Sequence, residues 1–183
     1  ELLILMNQAG CHQIMYGFET TDATILKNIN KKTEVDQFQK AADWTRAAKI
    51  NIRGAFMLGN PGETVSSMEK TIDFAKRSGL QFAVFNITTP YPGTALYHEF
   101  SQKKALLHRN WDLYNLSQPV LNLDTVSGEY VMQYYYKSYR DFYLRPAFII
   151  RHILAIRSFS QLSTYAGAAL KITALLSRNF FSR

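Results

Sequence analysis

Ile52-Arg53-Gly54-Ala55-Phe56-Met57-Leu58 followed by Gly59-Asn60-Pro61-Gly62-Glu63-Thr64 is the stretch on which the fold turns. The first seven residues predict a strand, Ile52 to Leu58, and the next six are too rich in Gly and Pro to continue either a strand or a helix. Helical periodicity then begins. Ser66 and Glu69 stand at capping-box spacing, Met68, Ile72 and Ala75 share one face, and Gly79 is placed to stop the helix. Strand, tight loop and helix in that order make one βα unit.

The same unit recurs on both sides. Upstream, Cys11 to Thr20 alternates Ile14, Tyr16 and Phe18 with Met15, Gly17 and Glu19, so one face is apolar and the other ends in a carboxylate. A helix is predicted from about Asp22. A second starts at Thr33, where Thr33 and Asp36 have capping-box spacing and Val35, Phe38, Ala41, Ala42 and Thr45 form a helical stripe. Downstream, Phe82 to Thr89 alternates Val84, Asn86 and Thr88 against Phe85 and Ile87, then breaks at Pro90-Tyr91-Pro92-Gly93-Thr94. Units of about 30 residues imply parallel strands joined by right-handed crossovers. In such sheets ligands sit at the carboxyl ends of the strands, which is where Glu19, Asn86, Thr88 and both Gly/Pro loops fall. Three strands cannot close a barrel, so the pattern calls for more strands upstream.

After about residue 110 the strand signal fades. Ser127 is positioned to cap a helix carrying Val131, Tyr134, Tyr135 and Phe142, interrupted at Arg145-Pro146, and further helical stretches follow near 147–158 and 160–178. The expected organisation is α/β over residues 1–108 and a helical, basic extension over 109–183.

Composition sets the outer limits. The chain has 183 residues, 47% of them hydrophobic, enough for a sizeable core. Its first residues, Glu1 to Met6, read as part of an amphipathic helix and not as a signal peptide. No run of about 18 uncharged apolar residues occurs, which argues against a spanning helix and for a soluble chain, and the lone cysteine fits a reducing, cytoplasmic location. The net charge of +7 is uneven: residues 1–129 hold 13 Lys/Arg against 13 Asp/Glu, whereas 130–183 hold 8 against Asp141 alone. The tail therefore suits an anionic surface, a nucleic acid or an acidic partner, with a solvated basic face as the plainer reading. Cys11 is the single cysteine, which excludes an internal disulfide or a cysteine-rich metal site built by this chain alone. It is expected to be buried and inert. His12, His98, His108 and His152 show no metal-ligand spacing.

Ala9-Gly10-Cys11 to Tyr16-Gly17-Phe18-Glu19-Thr20, then Phe56 to Thr64, then Pro90 to Thr94 occur in order at barrel spacing, and together they resemble the second half of a radical S-adenosylmethionine (SAM) core. The resemblance covers roughly residues 1–100. It implies the C-terminal half of a partial (β/α)6 TIM-like barrel followed by the helical extension, with SAM as cofactor and a [4Fe-4S] cluster whose three thiolates lie in the missing N-terminal half. Tyr139-Arg140-Asp141-Phe142-Tyr143-Leu144-Arg145-Pro146 resembles a segment that follows the core in cobalamin-binding members of the anaerobic magnesium-protoporphyrin monomethyl ester cyclase and hopanoid methylase types. Cobalamin is thereby implied as a further cofactor, on a domain outside this chain.

By the same resemblance, Glu19 contacts the ribose or methionine part of SAM, with Thr20 beside it; capping the next helix or pairing with Lys27 or Lys31 is the structural alternative. Leu58 packs on adenine and Gly59 lets the backbone approach, although a tight βα turn needs that glycine in any case. Asn86 and Thr88 meet the adenine edge, or else line a water-filled barrel interior, and Glu63 serves the first turn of the following helix. The implied parent is a cobalamin-dependent methyltransferase or oxidative cyclase using a 5′-deoxyadenosyl radical, the 183 residues alone being inactive. A tetrapyrrole carboxylate or isoprenoid lipid is the implied substrate. Phe148, Ile149, Ile153 and Leu154 beside Arg151 and Arg157 permit contact with a membrane surface. Two alternatives stand beside this reading. One is a radical SAM enzyme of the methylthiotransferase type acting on RNA, although the tail lacks the β-rich, aromatic pattern of an RNA-binding barrel. The other is a degenerate, non-catalytic half-barrel that binds a nucleotide or a partner protein.

Overall fold

The computed structural model describes residues 1–154 together with 163, 166, 167 and 170–172. Two compact units divide the chain, residues 1–135 and residues 136–183.

The first unit is built on three parallel strands in the order β1 (Gln13–Glu19), β2 (Asn51–Leu58) and β3 (Phe82–Ile87). Around them run α1 (Leu2–Gln8), α2 (Ala23–Asn28), α3 (Val35–Ala47), α4 (Val65–Arg77) and α5 (Ala95–Gln102). The three expected βα units are present, and Asp22 caps α2 by accepting from the Thr24 and Ile25 amides at 2.9 and 3.1 Å. Two helix starts differ from the sequence expectation. Glu34, not Thr33, precedes α3, its amide donating to Gln37 Oε1 at 2.9 Å. Thr64 and Ser67, not Ser66 and Glu69, cap α4: Ser67 N donates to Thr64 Oγ1 at 3.2 Å and Thr64 N to Ser67 Oγ at 2.9 Å. Each start is set by the register that turns the apolar stripe inward, Phe38, Ala42 and Thr45 on α3 and Met68, Ile72 and Ala75 on α4. α5 was not legible in the sequence; Thr94 caps it through the Tyr97 amide.

Alternation decides which side of the sheet is covered. Phe18, Ile52, Gly54, Phe56, Leu58, Ala83, Phe85 and Ile87 share one face and are buried. Phe38 of α3 and Phe74 of α4 pack on this face, their ring centroids 5.2 and 5.5 Å from Phe18. Each large side chain so removed from water contributes about 1.5–3 kcal/mol. The opposite face is bare: Met15 is 63% exposed, and Gly17, Arg53, Met57, Val84 and Asn86 are exposed or half-buried. Parallel sheets are normally covered on both faces, so this one is half-dressed by the described residues.

Beyond α5 the chain forms an irregular segment with one isolated antiparallel bridge, Leu106 to Leu121, and a single 3₁₀ turn, Trp111–Leu113. α6 (Gly128–Tyr143) follows, with the Tyr130 amide donating to Ser127 Oγ, and α7 (Pro146–Leu154) begins at the expected proline break. In the second unit the Phe142 and Phe148 rings lie 5.5 Å apart with the Arg145 guanidinium 4.2 Å from the Phe142 centroid. α7 buries none of its residues and exposes Ile149, Ile150, Ile153 and Leu154. The expected helices beyond residue 154 lie outside the described residues, as does Arg157.

Candidate functional site

The carboxyl ends of β1, β2 and β3 bring the expected residues to one end of the sheet, and their surroundings sort them into two groups. Glu19 and Asn86 are half-buried and stand on the bare face. Glu19 follows a register shift after Gly17 and takes φ of 64°, a left-handed conformation uncommon for a residue with a side chain. That backbone folds the carboxylate back across Gly17: a Cβ there would lie 2.6 Å from Glu19 Oε1. Lys31 completes the arrangement, donating to Glu19 Oε1 at 3.3 Å and to the Gly17 carbonyl at 2.8 Å. A non-glycine residue in this region, held by an ion pair and a missing side chain, is the kind of strain found at ligand sites. The Asn86 amide makes no hydrogen bond among the described residues, which leaves its donors and acceptor available. Its partner in the ladder is Met57, on the same bare face.

The other four residues are buried. Leu58 is fully buried on the helix-covered face with Ile52 and Phe56, so its side chain is turned away from the bare face and Met57 occupies the position expected of it. Thr20 is fully buried, its hydroxyl 3.3 Å from Thr71 Oγ1 of α4 and accepting from the Asp22 amide at 3.2 Å. Gly59 has φ of 76°, and a Cβ there would meet Val131 Cγ1 at 3.0 Å. What approaches this glycine is the first half of α6. Thr88 is buried and donates from Oγ1 to Asn60 Oδ1 at 2.9 Å, while its amide continues the ladder to Leu58 O at 2.8 Å.

Asn60 is the hub of the loop, and the sequence reading missed it. Its amide donates to Glu63 Oε2 at 2.9 Å and its Nδ2 to Met57 O at 3.1 Å. Glu63 therefore closes its own loop instead of serving the first turn of α4. Its carboxyl is fully buried and its Oε1 has no hydrogen-bond partner. Burial pushes the pKa up to about 7 against the pull of the Asn60 and Gly59 amides and the Asn60 side chain, and Asp22 adds a smaller upward push. Thr125 donates from Oγ1 to the Glu63 carbonyl, adding a third segment to the network. A cavity of about 510 Å³ lined by Gly62, Phe100, Lys103, Lys104, Asn122 and Thr125 adjoins this loop but includes none of the six expected residues.

Residues 1–75 match the profile of the radical SAM superfamily. Over those residues the chain is similar to that superfamily. It is 34% identical over 154 residues to an uncharacterized methyltransferase of Pyrococcus horikoshii, an alignment covering 84% of this chain and 34% of that protein. It is 27% identical over 158 residues to bacteriochlorophyllide d C-8(2)-methyltransferase of Chlorobaculum tepidum (85% and 35%). With the anaerobic magnesium-protoporphyrin IX monomethyl ester cyclase of Rubrivivax gelatinosus the identity is 25% over 149 residues (81% and 26%). The chain thus spans about a third or less of the length of these relatives.

The match to the radical SAM superfamily implies SAM and a [4Fe-4S] cluster, and the residues present fit these two groups differently. A carboxylate folded over a glycine and an uncommitted amide on the same bare face suit a nucleoside, whose ribose hydroxyls donate to a carboxylate and whose base edge pairs with an amide. The cluster does not fit: one cysteine cannot supply three thiolates. Among the described residues no three His, Cys, Asp or Glu side chains gather as a metal site. Cys11 is half-exposed, contrary to the burial expected, and precedes β1 at the amino end of the sheet.

Proposed function

We propose that these residues form the nucleoside-facing side of the SAM site in a radical SAM methyltransferase or oxidative cyclase. The observation that carries the reading is the Glu19 carboxylate, held across Gly17 on the bare face by Lys31. Glu19 accepts from the ribose hydroxyls and Lys31 keeps the carboxylate oriented. Asn86 reads the adenine edge, with Met57 as the apolar surface beside it. Thr20, Leu58, Gly59 and Thr88 hold the strand ends from behind. When bound, SAM and the cluster together supply a 5′-deoxyadenosyl radical; the part of this chain is to orient the nucleoside.

Support for a methyltransferase or cyclase comes from the relatives, and cobalamin, a tetrapyrrole or lipid substrate and the division at residues 108 and 109 belong to the same proposal. In the full-length protein, Glu19→Ala is expected to weaken SAM binding by about 1–3 kcal/mol, roughly 5- to 150-fold in Kd, with Glu19→Gln intermediate. Calorimetric titration measures it, and unchanged affinity removes Glu19 from the site.

No helix among the described residues is long and apolar enough to cross a membrane. α7 instead places Ile149, Ile150, Ile153 and Leu154 at the surface beside Arg151, which supports peripheral contact with an anionic bilayer. The protein is expected to co-sediment with phosphatidylglycerol vesicles at low salt and to be released at high salt. Failure to bind at low salt rejects this contact.

A further inference from the structure

Residues 130–183 hold 8 Lys/Arg and one acidic side chain, Asp141, whose carboxylate is shared by Lys137 at 2.7 Å and Arg140 at 2.9 Å. Two further arginines of this segment converge on a single ring. Arg145 stands at the corner between α6 and α7, its guanidinium carbon 4.2 Å from the Phe142 ring centroid and 5.7 Å from that of Phe148. Arg151, three residues beyond Phe148 on α7, lies 5.9 Å from the same Phe148 centroid. His152 is stacked on that ring at 3.9 Å and donates from Nδ1 to the Phe148 carbonyl at 2.9 Å, which braces the ring from behind.

Like charges gathered this way repel. Burial first, and then the charge of Arg151, hold the Arg145 guanidinium below its ordinary pKa; burial and both arginines lower His152, against the upward pull of the Phe148 carbonyl. An anion set between the two guanidiniums relieves that repulsion. A guanidinium resting on an aromatic face keeps its N–H edge for an oxyanion, which it grips through two parallel hydrogen bonds.

The surroundings narrow the choice of anion. Ile149, Ile150, Ile153 and Leu154 are exposed on the same helix, Leu154 at 78%, so a ligand with its charge at the arginines and hydrocarbon along α7 is amphiphilic. A phosphomonoester brings about two charges and three acceptor oxygens to two guanidiniums, where a phosphodiester brings only one charge.

We propose that Arg145 and Arg151, gathered on the Phe148 ring, form a phosphomonoester site that phosphatidic acid fills when α7 lies on a bilayer. The proposal rests on the reading of α7 as a membrane contact and names the lipid it selects.

The test measures binding of the full-length protein to phosphatidylcholine vesicles carrying either phosphatidic acid or phosphatidylglycerol at matched surface charge. Wild type is expected to prefer phosphatidic acid about fivefold, the scale of one added charge contact at a bilayer surface. Arg145→Gln and Arg151→Gln each bring that ratio close to one. Arg151→Lys keeps the charge and loses the planar fork, so it retains phosphatidylglycerol binding and loses the preference. Arg140→Gln removes an equal charge from the same unit and leaves the ratio unchanged, while Ile153→Asp weakens binding to both lipids alike. Soluble glycerol 3-phosphate lowers binding to phosphatidic acid vesicles to the phosphatidylglycerol level. A wild-type ratio near one, a ratio that survives both glutamine variants, or an equal fall in Arg140→Gln overturns the headgroup site; phosphatidylglycerol binding in those cases leaves the membrane contact standing. Binding to neither lipid overturns both. Glycerol 3-phosphate bound as tightly as phosphatidic acid vesicles assigns the arginines to a soluble phosphate ester, and release from the vesicles by single-stranded RNA but not by glycerol 3-phosphate assigns them to a nucleic acid; either result overturns the lipid.

Discussion

Gly54→Val is expected to destabilise the protein by about 3 kcal/mol or more, the upper end of what overpacking a core costs. Gly54 lies in the central strand on the helix-covered face, and a Cβ there would lie 2.7 Å from Leu80 Cδ1, 2.8 Å from Phe56 Cε2 and 3.2 Å from Phe18 Cδ2. None of the three neighbours can retreat. Phe56 and Leu80 are fully buried and Phe18 is 2% exposed, its ring wedged among Phe38, Phe56 and Phe74. Relief therefore requires β2 to move away from the helices, which opens a void elsewhere in the same layer. The backbone at Gly54 is ordinary strand, so the whole effect is steric. Urea unfolding measures it as a lowered midpoint with unchanged slope, and a loss below about 1 kcal/mol would show that the layer can adjust.

The second large effect concerns pH. Glu63 has a folded-state pKa of about 7 against 4.5 for the free side chain, so between those values the native chain holds a proton that the unfolded chain releases. Its contribution to stability is complete below about pH 4.5 and is lost as pH rises through 7. At about 1.4 kcal/mol per pKa unit, the swing is on the order of 3 kcal/mol. Glu63→Gln cannot ionise, yet keeps an acceptor for the Asn60 amide. Its stability relative to wild type should therefore improve by roughly that amount between pH 5 and pH 8. Chemical denaturation of both proteins at the two pH values gives the difference directly. A difference that stays constant would show that Glu63 titrates as an ordinary surface carboxyl.

The sheet and its helices were legible because period-2 alternation and helical stripes are statements about burial, and burial is what the fold satisfies. Phe18, Ile52, Phe85 and Ile87 fell on the covered side as their spacing required. Helix starts were less legible: Thr33 and Glu34, or Thr64 and Ser66, are chemically able to cap, and only the rotation that turns Phe38 or Met68 inward selects one. At the site, the positions nearest the strand ends were found, but a motif does not say which way each side chain faces. Leu58 and Met57 are neighbours in sequence and opposite in direction. Asn60 went unread because its partner Thr88 is 28 residues away, and Glu63, expected at the first turn of α4, instead turns its carboxyl back onto the Asn60 amide. Lys31 was named for Glu19 as the structural alternative, and the ion pair is present, although a carboxylate can keep that partner and still face a ligand.

The polar relay from Thr88 through Asn60 and Glu63 to Thr125 joins three stretches of chain that have no regular secondary structure in common. Asn60, Glu63 and Thr88 are buried, so losing one of them strands a polar group away from water. An Asp at position 60 would set a second carboxylate against Glu63, and a valine at 88 would leave the Asn60 carbonyl oxygen without its donor. Single steps away from this arrangement all lead downhill. As an inherited trait the loop behaves as one character rather than several, and descendants are expected to keep Asn60, Glu63 and Thr88 together or to replace the turn as a whole.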